Sequence, residues 1–185
     1  MKLGWTYQSL FRTFVNGLMS TGMGMMLLAA AEHKDKVTTY TKHFLDFAKD
    51  CGPSALAGAD ELTTRLHREV QDKVYGRGYQ ALIMPTLATP YFPADNDPTK
   101  DTVTINGKPV GGLAYVLTAI WNLLSRYPVV DVPVGIAPNN IPIGMQVVGN
   151  TFDYLVAFRV AAGYSQAGLQ LYSDEIGRAS CRERV

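Results

Sequence analysis

The chain has 185 residues, of which 47% are hydrophobic and 18% are charged. This length and composition predict one globular domain with a sizeable core and exclude an intrinsically disordered protein. The formal net charge of +1 gives no basis for nucleic acid or an acidic membrane surface as a partner.

Apolar residues near the N-terminus recur at three- and four-residue spacing, which predicts a helix with one buried face: Tyr7, Leu10, Phe11, Phe14, Val15 and Leu18. Glycines at 17, 22 and 24 weaken helix formation, so we expect a break or kink near residues 22–24. The Gly/Met-rich residues 22–26 either pack tightly against a neighbouring element or form an adaptable pocket wall.

Residues 13–31 carry no charge, follow Lys2 and Arg12, and end in Leu-Leu-Ala-Ala-Ala. In one interpretation, residues 2–31 are the signal segment of a secreted or membrane-associated protein. Glycines and polar residues interrupt the apolar run, however, and a membrane span would be longer. A buried helix is the simpler interpretation, and no membrane partner is expected.

Two more helices are predicted next. Val37, Tyr40, Phe44 and Phe47 mark the first, which Gly52 and Pro53 end. Ser54 is expected to cap the second helix. The apolar stripe of that helix is Leu56, Ala59, Leu62, Leu66, Val70 and Val74, and acid–base pairs such as Glu69 with Lys73 indicate a solvated opposite face.

Short strands are predicted after these helices. Residues 79–84 form one strand, and residues 102–105 form another that ends at Asn106-Gly107, a strong two-residue hairpin turn. Pro109 makes the return arm an edge strand or shortens it. Residues 111–121 are predicted to be a loop and a short helix.

Two apolar runs, residues 129–134 and 143–148, flank a Pro/Asn turn and predict a second hairpin. Pro133 and Pro142 cannot donate to a strand ladder, so each should lie at a strand end, an edge or a bulge. Gly144 indicates close approach by a ligand or by another part of the backbone.

A last helix is expected after Gly149, capped by Asn150 or Thr151 with Asp153 in its first turn. Its sheet-facing residues are predicted to be Leu155, Val156, Phe158, Val160 and Ala162. The order of elements indicates an α/β protein without regular βαβ repeats and without an internal domain boundary. Residues 175–185, EIGRASCRERV, abandon the apolar periodicity, and we interpret them as a non-native tail.

Three motifs occur in a recognisable order: Met84-Pro85-Thr86 after a short apolar run, NLLSRYPV followed by VPVG over residues 122–135, and IPIGMQVVG over residues 141–149. Together they resemble the C-terminal region of the amidase signature family. The resemblance implies that residues 1–174 are the C-terminal portion of an amidase domain, in which a mixed β-sheet is flanked by helices. The form of residues 122–128 is closer to the general amidases than to the tRNA-linked subunits.

The family cleaves amide C–N bonds with a Ser–cis-Ser–Lys triad and no cofactor. This sequence contains no two adjacent serines and no Gly-x-Ser-x-Gly motif, so no catalytic residue is assigned to it. The resemblance therefore implies a fragment that is inert alone and whose partner is the missing N-terminal half of the same enzyme. The alternative is a non-catalytic α/β binding domain derived from the amidase scaffold.

The resemblance places four residues near a cleft for a small-molecule amide substrate: Pro85, Thr86, Trp121 and Asn122. Ordinary packing is the alternative for each, and Trp121→Ala is expected to raise the Michaelis constant of the complete enzyme. Asp131 stands where the family more often has a small residue, and either its neighbours solvate it or it faces the cleft. Ser125 is interpreted as a turn or capping residue rather than a nucleophile.

Metal binding is not expected. Cys51 and Cys181 have no metal-type spacing, and the histidines at 33, 43 and 67 form neither HxxxH nor HExxH. The cysteines also indicate no disulfide framework, which fits a reducing, cytoplasmic location. A homodimer is left open.

Overall fold

The computed structural model describes residues 6–49 and 51–167. The α-helices are α1 (Tyr7–Met19), α2 (Gly22–Ala29), α3 (Thr39–Lys49), α4 (Pro53–Lys73), α5 (Ala119–Leu124) and α6 (Tyr154–Ala167). The strands are β1 (Ala81–Pro85), β2 (Thr102–Ile105), β3 (Lys108–Gly111), β4 (Val129–Ile136) and β5 (Pro142–Gly149), and short 3₁₀ helices span Ala30–Lys36 and Tyr75–Arg77. The predicted tail, residues 175–185, lies outside the described residues.

The main sheet has three strands in the order β1-β5-β4. The predicted hairpin is confirmed as β4 and β5, whose five-residue connection is closed by a hydrogen bond of 2.9 Å from the Ala137 N–H to the Ile141 carbonyl. The α/β class is confirmed. A mixed sheet would also contain a parallel pair, but among the described strands β1 and β4 both pair antiparallel with β5. As expected, Pro133 lies at a register irregularity and Pro142 begins a strand.

The two faces of this sheet are covered by different helices, because side chains alternate along each strand. Leu82, Met84 and Val148 face the largest hydrophobic cluster, which contains buried residues of α1, α4 and α5. Val132 and Val147 face the opposite way and pack with Ala161 of α6. The sheet is therefore a central layer between helices.

The N-terminal helix forms as predicted and ends at Met19, three residues before the expected break. Thr6 caps this helix, because its hydroxyl oxygen accepts a hydrogen bond of 3.2 Å from the Ser9 N–H. At Gly24 an added Cβ would lie 1.8 Å from the Met19 carbonyl oxygen, so the close approach of α1 and α2 supports the packing interpretation of this glycine. None of the described helices is long and apolar enough to cross a membrane.

The start of α4 corrects one prediction. Gly52 is the N-cap and Pro53 is the first helical residue, so Ser54 lies inside the helix instead of capping it. Proline suits this position because its fixed φ is helical and the N–H that it lacks would have no helical partner there. The predicted stripe is correct, since Ala59, Leu66 and Val70 are buried, and the Lys73 ammonium pairs with the Glu69 carboxylate.

The orientation of α6 is a second correction. The helix begins at Tyr154, and Asp153 caps it by accepting a hydrogen bond of 3.2 Å from the Val156 N–H. The buried face is Ala157 and Ala161 with Val160 and Tyr164 beside them, whereas Leu155 and Phe158 are 67% and 60% exposed. Val160 was predicted correctly, but Leu155, Phe158 and Ala162, which share one helical face by their three- and four-residue spacing, are exposed. Apolar residues occupy more than one face of α6, so their spacing did not identify the buried face.

The remaining strands lie close to their predicted positions. β1 begins two residues later than expected, after Gly78 adopts a left-handed φ of 84°. The hairpin predicted at Asn106-Gly107 is confirmed as β2 and β3, with Asn106 at φ 52° and Gly107 at φ 73°, as a two-residue turn requires. Pro109 lies in a strand with one neighbour, so its missing N–H interrupts no second ladder.

The hydroxyl of Tyr7 links α1 to the segment before α5. Because this hydroxyl is partly buried, we expect the protein to lose stability at alkaline pH. Its hydroxyl donates to the carbonyl oxygens of Leu113, at 3.2 Å, and Val116. Burial raises the pKa of Tyr7 to about 12, while an unfolded tyrosine ionises near pH 10. The folded state thus holds this proton more tightly than the unfolded state. Its contribution to stability is complete below pH 10 and is lost as the pH rises through 12.

We therefore expect the free energy of unfolding of the wild type, measured with urea, to fall between pH 10 and pH 12. Tyr7→Phe should lower stability at neutral pH, where the hydroxyl donates to the two carbonyl oxygens, and it should flatten this alkaline slope. Burial also raises the pKa of Tyr75, so the Tyr7→Phe/Tyr75→Phe double variant should be flatter still. An unchanged slope in Tyr7→Phe would refute the assignment.

Candidate functional site

A cleft of about 460 Å³ lies at one end of the main sheet. Leu82 and Met84 on β1 are covered by the large hydrophobic cluster, but the next residue on the same face, Thr86, lines this cleft. The other walls come from the middle of β4, the start of β5 and the segment after β1: Thr89, Pro90, Asp131, Pro133, Ile143 and Gly144. The cleft is therefore mostly apolar, with a small polar group inside it.

Thr86 is the fixed centre of that polar group. Its N–H donates to the Gly144 carbonyl oxygen at 3.1 Å, and its own carbonyl accepts from the Leu117 N–H at 3.1 Å. With its backbone held on both sides, its hydroxyl donates to Oδ1 of Asp131. Asp131 is an exposed residue on β4, opposite Gln146 of β5. The Asp131 carboxylate therefore lines the cleft, and the Thr86 hydroxyl donates a hydrogen bond to one of its two oxygens.

Gly144 lies beneath the Thr86–Asp131 pair. A Cβ added there would lie 2.7 Å from Thr86 Oγ1 and 2.8 Å from Asp131 Oδ2, closer than carbon and oxygen approach without displacement. The expected approach of another backbone is not what the structure shows, because the groups that approach this glycine are the side chains of Thr86 and Asp131. Glycine at position 144 leaves room for the pair to meet across β5.

Gln146 supports the site from below and was not singled out from the sequence. The residue is 1% exposed, and its Nε2 donates to the Pro85 carbonyl oxygen at 2.9 Å. This bond fixes the peptide that precedes Thr86. The available signal was a glutamine within an otherwise apolar strand, since a buried amide needs partners for its polar atoms.

A second, larger cleft of about 790 Å³ adjoins the first at Ala88, which lines both. Its walls are mainly aromatic and aliphatic side chains of α1, of α3 and of the segment before α5, among them Phe11, Phe44, Leu113 and Leu117. Arg12 and His43 also line it. This arrangement of apolar walls with few polar groups is typical of a site for a small organic ligand.

The four predicted cleft residues do not lie together. Thr86 lines the smaller cleft, and Pro85 precedes it as an exposed residue. Trp121 is 4% exposed within the large hydrophobic cluster, where its indole N–H donates to Met84 Sδ at 3.0 Å. Asn122 is exposed on α5. The position of Trp121 favours its packing interpretation over a place on the cleft wall.

Two further polar residues have structural partners. Ser125 adopts a left-handed φ of 44° as the C-cap of α5, and its N–H donates to the Trp121 carbonyl at 2.8 Å. His67 Nδ1 lies 2.8 Å from the Tyr127 hydroxyl. Across residues 6–49 and 51–167, no group of three or more His, Cys, Asp or Glu side chains is arranged to hold a metal ion.

Comparison with known proteins identifies relatives over about half of the chain. No family model matches the sequence. The glutamyl-tRNA(Gln) amidotransferase of Bacillus thuringiensis (strain Al Hakam) contains a subunit that is 34% identical to this chain over 89 residues, and that of Bacillus cereus (strain B4264) gives the same identity over the same length. The alignment covers 48% of this chain and 17% of each relative.

Solved structures share the fold over most of the chain. A crystal structure of an amidase has a TM-score of 0.76 at 18% identity and covers 88% of this chain and 36% of its own. A bacterial aryl acylamidase of the amidase signature family has a TM-score of 0.71 at 21% identity, with coverages of 89% and 34%. The 6-aminohexanoate cyclic dimer hydrolase gives 0.62 at 19% identity, with coverages of 88% and 36%. The chain thus spans about a third of these enzymes.

Proposed function

We propose, from the premise that this chain is an amidase signature C-terminal region over about 88% of its length, that it forms one wall of the substrate cleft of an amide hydrolase. The enzyme cleaves the C–N bond of a small-molecule amide through an acyl-enzyme and uses no cofactor. The reacting serine and its lysine base are supplied by a missing N-terminal portion. Residues 1–174 are the native part of this chain, and residues 175–185 are not.

The observation that carries the proposal is the open cleft at the end of the main sheet. It presents a hydrogen-bonded polar pair, Thr86 and Asp131, and an adjoining apolar groove, which suit binding and orientation of a ligand. Amide hydrolysis also needs a nucleophile, a base and oxyanion donors. The sequence has no paired serines to supply them, so another part of the enzyme carries these groups.

The adjoining groove supports a substrate with an apolar acyl or aryl group. Its volume of about 790 Å³ falls within the usual range for small organic ligands, roughly 300–1,000 Å³. Hydrophobic burial of that group would then orient the amide toward the smaller cleft. The relatives found by sequence are subunits of a glutamyl-tRNA(Gln) amidotransferase and do not support the assignment to a general amidase. That assignment rests on the sequence of residues 122–128 alone.

Activity of this chain and of the longer reading frame that contains it tests the proposal. With 4-nitroacetanilide as substrate, the 185-residue chain should release no nitroaniline, and the longer protein should release it. A serine-directed fluorophosphonate should label the longer protein stoichiometrically and this chain not at all. Labelling or turnover by the 185-residue chain would overturn the proposal, as would a longer protein that cleaves no amide and reacts with no probe.

A further inference from the structure

We propose that Asp131, held by Thr86 above Gly144, is a specificity-determining residue that binds a positively charged amine on the ligand. That the ligand is a substrate rests on the proposed function, but binding of the amine does not. Asp131 would decide which molecules enter the smaller cleft, and this selection can be measured on this chain without any chemical reaction.

The position of Asp131 is unusual for a carboxylate. Aspartate is depleted in strands, and the neighbours of Asp131 on β4 are Val130 and Val132. On the same face of the sheet, its register partner Gln146 is 1% exposed, and Val148 beyond Gln146 belongs to the buried cluster. The carboxylate therefore lies where an apolar face ends and the cleft begins. A charge in that position attracts an opposite charge more strongly than one on an open surface does.

Thr86 makes this carboxylate a fixed acceptor. The hydroxyl occupies Oδ1, and backbone hydrogen bonds from the Thr86 N–H and to the Thr86 carbonyl hold the threonine in place. Oδ2 lies over Gly144, where a side chain would reach to within 2.8 Å of it. Since the acceptor is already oriented, little rotamer entropy is lost when a ligand donates to it.

The charge of Asp131 lacks a counter-ion in the part of the chain that the structure describes. Ion pairs there join Lys49 to Asp46, Lys73 to Glu69 and Lys100 to Asp97, and none reaches Asp131. The cleft around it is lined by proline, isoleucine, leucine and alanine apart from the two threonines and Gly144. A protonated amine would complete the pair, and a charge-assisted hydrogen bond is about twice as strong as a neutral one.

A purely structural role is the competing interpretation, in which the Thr86–Asp131 bond merely ties β1 to β4. That role predicts that removing the carboxylate lowers stability without changing which ligands bind. The two roles therefore differ in a ligand preference, and not in a melting temperature.

The test compares benzylamine, which is protonated at pH 7, with benzyl alcohol, which has nearly the same shape and no charge. Both are titrated into the 185-residue chain at low salt, and affinity is read from NMR chemical shifts. We expect the wild type to bind benzylamine about tenfold more tightly, the difference that one charge-assisted hydrogen bond supplies. The preference should shrink as salt is added.

Variants locate the effect. Asp131→Asn should abolish the preference, and Asp131→Ser provides a second, smaller neutral replacement should the asparagine variant fold poorly. Asp95→Asn, an exposed aspartate outside the cleft, is the matched control and should keep the wild-type preference. Equal binding of the two ligands by the wild type, or an unchanged preference in both Asp131 variants, would overturn the inference.

The outcomes also separate this inference from the proposed function. Amine binding that depends on Asp131, together with a longer protein that cleaves no amide, would leave the site intact and reject the hydrolase. Amide cleavage by the longer protein, without any preference for benzylamine in this chain, would keep the hydrolase and reject the amine site.

Discussion

Trp121→Ala is expected to lower the free energy of unfolding by about 3–5 kcal/mol, the usual cost of emptying a buried aromatic site. The indole is 4% exposed, packs edge-on against Tyr127 with the ring centroids 5.6 Å apart, and donates to Met84 Sδ. Alanine removes these contacts and leaves a cavity between α5 and the sheet. Domains of this size are stable by about 5–15 kcal/mol, so much of the stability would be lost.

Urea unfolding followed by circular dichroism measures this effect. Asn122→Ala is the matched control, because the neighbouring residue is exposed on the same helix and its loss should change stability by less than about 0.5 kcal/mol. Trp121→Phe, which keeps a ring in the site, should lie between the two. A loss below about 1 kcal/mol for Trp121→Ala would place the indole outside the core and restore it as a candidate for the cleft wall.

Gly149→Ala is expected to cost about 1–3 kcal/mol through overpacking at the end of β5. An added Cβ would lie 2.6 Å from the Asp153 carbonyl oxygen, 3.1 Å from Pro128 Cγ and 3.3 Å from Ala157 Cβ. The first of these atoms is backbone at the start of α6, so the methyl group cannot be accommodated by rotating a side chain. Either the helix or the strand must move.

Gly163→Ala gives the opposite expectation and serves as the control for Gly149→Ala. Gly163 is an exposed residue within α6, and a Cβ built there meets nothing within 4 Å. Alanine favours the helix over glycine by about 0.5–1 kcal/mol, so this variant should be as stable as the wild type or more stable. Equal midpoints in urea for the two variants would contradict the packing argument.

Local patterns were sufficient for most of the elements. The Asn106-Gly107 turn, the apolar stripe of α4 and the paired runs of β4 and β5 each depend on residues close in sequence, so their spacing carries the information. The error at Ser54 arose at a helix start, where several residues can cap. The error along α6 arose because apolar residues lie on more than one of its faces, so spacing did not identify the buried face.

The site was harder to predict because it depends on strand register. Thr86 and Asp131 are 45 residues apart in sequence and meet across β5, above a glycine that lies on a third segment. Each was noticed separately, but periodicity cannot place them on one face. Trp121 shows the complementary difficulty, since a large aromatic residue suits a core and a cleft wall equally well until its burial is known.

The order β1-β5-β4 leaves each outer strand with a single neighbour among the described strands. Peptide groups on those flanks are free to template a strand from another molecule, and antiparallel addition could repeat on both sides. Each outer strand carries one proline, Pro85 on β1 and Pro133 on β4, and neither residue has an N–H to donate to an added strand. Crowding many copies together would therefore favour edge-to-edge joining of sheets into larger particles, with one donor missing on each flank.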